Sequence, residues 1–318
     1  MYFPYLRGKQ FELLAIKELA DAFAQSGHVL PVVEPVRELG GALQRSFAEL
    51  RARNVQHALV LNPGVGHLAA IADGPRLTTQ WIGANIQDDD YLQLAVLVNS
   101  RANFAELASG IREAGLTGRP MHLIHEEYVA DYSELLGLME VASSVTNFVE
   151  SKTVVRRYGG ALSQLDNVQF ADGFLARDTN MLYLDQPVSL LTDQHLYFDD
   201  DGYVGFSDYL TVGARYSEGG SLPRALIIHF SYQDPSDNMI YIRHFGSDSN
   251  RDQSDTAGKF AEALKKLITF VDENSLRNPA IDAFRAYYET ETYPGLGVIK
   301  KLSMENHLFL MMKVLAGN

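Results

Sequence analysis

Leu92-Gln93-Leu94-Ala95-Val96-Leu97-Val98-Asn99 is a mostly apolar run that exits on a polar group, and Met121-His122-Leu123-Ile124-His125-Glu126 is a second of the same kind. Near-continuous apolar character predicts strands buried on both faces. Between them, Ser100 or Asn103 is placed to cap a helix, Leu107 and Ile111 share one of its faces, and Gly115 is placed to stop it. Two buried strands joined by a helix form a βα unit, which requires the strands to be parallel.

The same unit recurs outward from this stretch. Upstream, Phe11 to Ala24 has helical spacing with Gly27 as its C-cap, ahead of a strand over Val29 to Glu34. Residues 42–53 form the next helix, with Leu43, Phe47 and Leu50 on one face, and Ala58 to Gly64 reads as a buried strand and its exit. Downstream, a helix over Ser133 to Leu138 precedes strands at Thr146 to Glu150 and Val168 to Asp172. The expected fold is therefore α/β, a (β/α)8 TIM-barrel-like domain.

From Gly173 the rhythm changes. Residues 173–203 are rich in Asp, Asn, Gln and Tyr and predict a long ordered loop or lid. Tyr203 to Val212 predicts a seventh strand, and Arg224 to Tyr232 with Met239 to Phe245 predicts a β-hairpin turning at Gln233 to Asn238. Barrel closure is thus expected to be irregular, made from Tyr203 to Val212 and the hairpin. A helix follows, N-capped by Ser254 or Asp255, with Phe260, Leu264, Leu267, Ile268 and Val271 on one face, then helices over about 279–288 and 303–315. The hairpin and last helices could close the barrel, cap its base, or present an oligomer face with Tyr287, Tyr288, Phe309 and Met311. No low-complexity linker interrupts the chain, so a single barrel-like domain is expected over 1–318: regular units to 172, loop, strand and hairpin to 253, helices beyond.

Composition bounds the chemistry. The chain has 318 residues, 46% of them hydrophobic, enough for a full core. It has no cysteine, which removes disulfides, thiolate nucleophiles and zinc-thiolate or iron–sulfur sites. A net charge of −13 repels phosphate polyanions, and the basic pairs Arg156-Arg157 and Lys300-Lys301 are too short for an extended nucleic-acid face. Arg7 and Lys9 interrupt the place where a leader would carry its apolar stretch, and no uncharged apolar run is long enough to span a bilayer. A cytoplasmic protein without a membrane partner is expected.

In a barrel of this type, groups at the carboxyl ends of strands share one mouth. Those ends carry Glu34, Asn62, Asn99, His125 with Glu126 and Glu127, Glu150 with Lys152, Asp172 and Asp208. Glu34, Asp172 and Asp208 each terminate an apolar run directly and suit an oxygen-ligated Mg²⁺ or Mn²⁺, or an acid/base pair; Asp172, Asp208, Glu150 and Lys152 are the catalytic candidates of the mouth. The bland alternative is that any strand leaving a core ends on a polar residue. His229 and His244 lie on the two strands of the hairpin, and His229 is the candidate for proton transfer, against the commoner role of a hydrogen-bonded strand histidine. Arg7 and Lys9 flank Gly8 at the entry to the first helix, where free N–H groups favour an anion such as a cofactor phosphate; pairing of Glu12 with either would instead tie down the terminus. Gly64-Val65-Gly66 and Gly219-Gly220 do not complete a nucleotide-binding glycine motif, and no G-x-S-x-G elbow occurs.

Tyr5-Leu6-Arg7-Gly8-Lys9-Gln10-Phe11-Glu12-Leu13, Val33-Glu34-Pro35-Val36, Gly205-Phe206-Ser207-Asp208 with Tyr216-Ser217-Glu218-Gly219-Gly220, and Tyr241-Ile242-Arg243-His244-Phe245 through Ser249 resemble an uncharacterised bacterial family with a locus-style name. That family is distantly similar to the phage "beta protein" family, and the resemblance covers essentially the whole chain. It implies a barrel-like α/β fold and a small companion protein encoded alongside, of the kind found in phage-defence gene pairs. It supplies no catalytic residues.

Two functions follow as expectations. One is a metal-dependent enzyme acting on a small anionic or phosphorylated substrate, with Glu34, Asp172 and Asp208 on the ion. The other is a non-catalytic binding or regulatory module paired with the companion protein, its acidic surface suiting a basic partner.

Overall fold

The computed structural model describes residues 1–37, 39–71, 73–219 and 223–317. In chain order its elements are β1 (Tyr2–Leu6), α1 (Gln10–Glu18), α2 (Ala20–Ser26), β2 (Val32–Val33), α3 (Gly41–Ala52), β3 (His57–Val60), α4 (Gly66–Ala69), α5 (Gly74–Asn85), β4 (Leu92–Val98), α6 (Phe104–Glu113), β5 (Met121–His125), α7 (Ser133–Met139), β6 (Val145–Val149), α8 (Thr153–Tyr158), β7 (Asp166–Phe170), α9 (Leu182–Asp185), β8 (Val188–Thr192), α10 (Gln194–Tyr197), β9 (Gly205–Asp208), β10 (Ile227–Gln233), β11 (Ile240–Gly246), α11 (Thr256–Glu273), α12 (Pro279–Glu289) and α13 (Leu296–Ala316).

Eight parallel strands close into a barrel in the order β1-β2-β3-β4-β5-β6-β7-β9, the (β/α)8 class that the repeated units predict. All seven residues of β4 are buried, as a strand covered on both faces requires. Asn103 caps α6 by accepting from the Glu106 N–H at 3.0 Å, and Gly27 ends α2 in the left-handed conformation at φ 65°.

Closure differs from the expectation. The hairpin takes no part in the barrel; the strand that completes it is β1, Tyr2-Phe3-Pro4-Tyr5-Leu6, whose five residues are all buried. Nothing in the sequence reading made that segment a strand, because Pro4 argues against a central position and the run is short. The seventh expected strand shortens to β9, which pairs with both β1 and β7. Gly205 is needed at that seam: a Cβ there would stand 2.3 Å from the Met1 carbonyl oxygen and 2.8 Å from the Phe3 ring.

Rings meeting across the barrel identify its lumen. Phe3 of β1 reaches Phe148 of β6 (5.1 Å) and His122 of β5 (5.8 Å), and Tyr5 reaches Phe170 of β7 (5.2 Å), although none of these strands pairs with β1. Alternation along β1 then turns Tyr2 outward, where its ring meets Phe206 of β9 at 5.1 Å.

The chain divides into two compact units, Met1–Ala171 with Tyr197–Asp208, and Asp172–Leu196 with Tyr209 onward. The second unit contains a three-stranded antiparallel sheet in the order β10-β11-β8. The expected lid over 173–203 supplies β8 to it, and its residues from Tyr197 on belong to the first unit. One face of the sheet, with Ile228, Phe230 and Phe245, packs on Phe260, Leu264, Leu267, Phe270 and Val271 of α11 and Phe284 of α12. Asp255 caps α11 by accepting from Gly258 N–H at 2.9 Å. Helix α13 begins at Leu296, earlier than expected, and buries Met304, Leu308 and Met311 completely, which removes Met311 from any oligomer face. Among the described residues no helix is long and apolar enough to cross a membrane.

Candidate functional site

At the barrel mouth, Glu34 is fully buried and every approach to its carboxylate is occupied by a protein donor. Oε2 accepts from the Tyr5 hydroxyl at 2.7 Å and pairs with the Arg7 guanidinium; Oε1 accepts from the Gly64 N–H at 2.7 Å and the Val65 N–H at 3.3 Å. The Lys9 N–H donates to Glu12 Oε2 at 3.2 Å, and Glu12 is itself buried. The donors expected to hold a ligand's anion thus hold the protein's own carboxylates, Glu34 for Arg7 and Glu12 for Lys9. For Arg7 this corrects the cofactor-binding assignment, since its charge partner sits 27 residues away; for Lys9 it is the backbone N–H, three residues from Glu12, that is engaged.

The metal assignment is corrected as well. Asp208 shares its strand face with Phe206, so it points out of the barrel, and Oδ1 accepts from the Tyr2 hydroxyl at 2.7 Å beneath the outer layer. Glu34, by contrast, meets Tyr5, whose ring lies in the lumen. Asp172 is a loop clasp, accepting from the Phe174 N–H at 3.0 Å and the Ala214 N–H at 2.7 Å. Among the described residues no three His, Asp or Glu side chains gather as a metal would need.

The remaining mouth residues tie strands together. Asn62 both donates to and accepts from the Leu97 backbone at 2.8 Å, Asn99 donates to Glu126 Oε2 at 2.7 Å, and His125 Nε2 meets Asn147 Oδ1 at 3.0 Å. Lys152 donates to the carbonyls of Asp201 (2.6 Å) and Gly202 (2.9 Å) and lies over the Tyr203 ring, fastening the approach to β9, while Glu150 is exposed. In this structure the Lys152 ammonium is engaged as a latch between the exit of β6 and the approach to β9.

The second unit contains a cavity of about 1070 Å³. Its walls come from residues 174–183, residues 211–217, the start of β10 and the first turns of α13. Among the described residues four cations line it, Arg177, Arg215, Arg224 and Lys300, against the single carboxylate of Asp178, which pairs with Arg215 at 2.7 Å. The two loop walls are joined by the Asp172 clasp just described and by the close approach of Gly213 (φ 77°) to Phe174, where a Cβ would stand 2.8 Å from the ring.

His229 lines this cavity, and its cross-strand partner is His244, with the two Nδ1 atoms 2.8 Å apart. Burial first, then His244 and Lys300, push the His229 imidazole down to about 3; burial, then Arg177, push His244 down to about 4. Both rings are therefore neutral at neutral pH. The geometry can bind an anion: a concave pocket with an excess of guanidinium groups and an imidazole at the wall. Sequence reasoning singled out His229 but missed Arg177, Arg215 and Arg224. These arginines are spread over 48 positions and lie outside the helices and strands of that stretch, and only their scatter around Gly173 to Pro223, in an acidic protein, hinted at a shared pocket.

No family model and no curated protein matches the chain. Among solved structures it is similar to N-acetylneuraminate lyase from Mycoplasma synoviae, at 8% identity and a TM-score of 0.38 over 65% of this chain and 68% of that one, with a second crystal form at 9% identity, the same TM-score and 66% and 67% coverage. It is also similar to an enoyl reductase domain from the macrolactin biosynthesis cluster of Bacillus amyloliquefaciens, at 8% identity and a TM-score of 0.30 over 99% of this chain and 81% of that one. Likeness of this degree says nothing of chemistry.

Proposed function

We propose that this chain is a cytoplasmic barrel protein whose second unit binds a small, multiply charged oxyanion, a phosphorylated or carboxylated small molecule. The observation that carries the reading is the cavity's cation excess, four against one, in a chain whose net charge is −13. Holding like charges together in one pocket costs free energy unless an anion offsets it. Guanidinium groups are suited to the task because they engage phosphate or carboxylate oxygens in bidentate pairs. The Asp172 clasp keeps both loop walls in place for the ligand.

Inorganic pyrophosphate is the probe. A ligand present at about a hundred times its dissociation constant should stabilise the protein by about 2.7 kcal/mol, visible as a rise in melting temperature. The rise should disappear in an Arg177→Gln/Arg224→Gln double variant that melts like the parent without ligand. An unchanged melting curve at millimolar pyrophosphate and at millimolar citrate would sink the reading.

A second reading, docking of the companion protein, is favoured by a different observation. Leu175, Met181, Leu182 and Leu190 are all exposed within 16 positions, each by 40% or more. Co-expression with the product of the neighbouring gene should yield a heteromer by size exclusion, broken by Leu182→Glu; two independent monomers would end this reading.

A further inference from the structure

His229 and His244 meet at 86°, with 2.8 Å between their Nδ1 atoms. Two ring nitrogens that close need one hydrogen between them: one ring supplies an N–H and the other a lone pair. Two fully protonated rings cannot satisfy the contact, so the pair exists either neutral, with one proton shared at Nδ1, or carrying one extra proton in all. With Nδ1 committed to its partner, Nε2 is the nitrogen His229 has left for the cavity it lines.

The state of that nitrogen decides what the cavity wall offers. If His229 donates at Nδ1 in the neutral pair, its Nε2 presents a lone pair, which repels an anion. If His244 donates, His229 carries its hydrogen on Nε2 and can donate it. When the pair gains a proton, both Nε2 atoms carry hydrogen and the wall becomes positive. An anion favours the last two states and most favours the third, because charge attraction adds to the hydrogen bond.

The surroundings hold the proton off while the cavity lacks an anion. Burial contributes most; after it, His244 and then Lys300 of α13 oppose charge on His229, and Arg177, on the stretch before α9, opposes it on His244. Tyr183 of α9 (4.9 and 4.5 Å from the two rings) and Phe174 (5.2 and 6.1 Å) flank the pair with aromatic faces and edges, which leave it poorly solvated. Lys300 and Arg177 also line the cavity, so the anion that engages them removes the part of the opposition to charge that adds to burial, and its own charge favours the protonated pair.

We propose that His229 donates a hydrogen bond from Nε2 to the oxyanion in the cavity, and that the His229–His244 pair takes up one proton from solvent as the anion enters. The proposal rests on the reading of the cavity as an anion site and adds a specificity-determining residue to it: a directional N–H donor selects oxyanions over halides of equal charge.

Sulfate is the probe, because its charge is constant over the range tested. Calorimetric titration at about pH 6 in two buffers of different ionisation enthalpy should show proton uptake on the order of one per sulfate, with affinity rising up to about tenfold per unit fall in pH. A His229→Gln/His244→Phe variant, folded by circular dichroism, should still bind sulfate through its arginines but with uptake near zero. Nitrogen-15 spectra of the parent imidazoles should show the His229 Nε2 bearing hydrogen when sulfate is added. Sulfate binding with no proton uptake, or with a His229 Nε2 lone pair retained, overturns this inference while leaving the anion site standing. Absence of binding of both sulfate and pyrophosphate overturns the anion site itself.

Discussion

Glu34 shows how a single residue can look catalytic and be structural. It ends a strand in the mouth of a barrel, is fully buried, and is met by Tyr5, Arg7 and the N–H groups of Gly64 and Val65. Removing its charge would break the buried ion pair with Arg7, so Glu34→Gln should lower unfolding free energy by about 3 kcal/mol in denaturant titrations. A loss under about 1 kcal/mol would show that Arg7 finds water instead. The buried histidines give a second prediction at this scale. Burial pushes His122 and His125 down to about 4 from 6.5, with the Asn147 bond opposing the shift at His125. Between those values the unfolded chain binds protons that the folded one refuses, so their stabilising contribution is complete above pH 6.5 and lost as pH falls towards 4. Stability by urea titration should decline across that window, and His122→Gln should flatten part of the decline; an unchanged slope would show that His122 protonates in place.

Among the elements, α11 depends on a cap that leaves no room beside it. Asp255 sits at φ 46° and accepts from Gly258 N–H, and a Cβ on Gly258 would stand 2.2 Å from Asp255 Oδ2. Gly258→Ala should therefore displace the cap and lower stability by about 1 kcal/mol despite alanine's better helix propensity. Asp255→Ala should cost about the same, and the double variant little more, since both remove one interaction. Stabilisation by Gly258→Ala would show that the carboxylate swings aside at no cost. The cap itself was legible in sequence, as were Asn103 for α6 and Gly27 for α2, because capping is decided by neighbours a few residues apart. Strand β1 was not, because Pro4 and its shortness mask a segment that only pairing with β2 and β9 makes a strand.

For the molecule as a whole, the relevant quantity is charge against place. A chain of net charge −13 repels anions at long range, yet its cavity attracts them at short range. At about 0.1 M salt the Debye length is about 10 Å, so salt screens the distant repulsion and, less completely, the pocket's own attraction. Arg177 and Lys300 are half-buried while Arg215 and Arg224 are exposed, so pyrophosphate affinity should fall with salt somewhat less steeply than four fully exposed cations would give, while its association rate should rise from low to moderate salt. A rate that falls monotonically would place the binding charge on the open surface.

What the sequence by itself determined is the repeating unit. Buried strands, amphipathic helices and their stops are encoded within windows of ten to twenty residues, and the repetition of that pattern implies parallel strands under helices. The hairpin and the C-terminal helices were equally legible. Only the tertiary structure decided which strands close the barrel, that Asp172–Leu196 and the chain from Tyr209 build a second unit, and what each polar strand end faces. Alternation says that Asp208 and Phe206 share a face, but which face is the lumen depends on rings arriving from β5, β6 and β7. A carboxylate's chemistry depends on the partner opposite, and Glu34 and Asp208 find theirs 27 and 206 positions away. Long-range pairing of this kind carries no periodic signal, and for that reason the arginines around the cavity were visible only once the loops that carry them were folded.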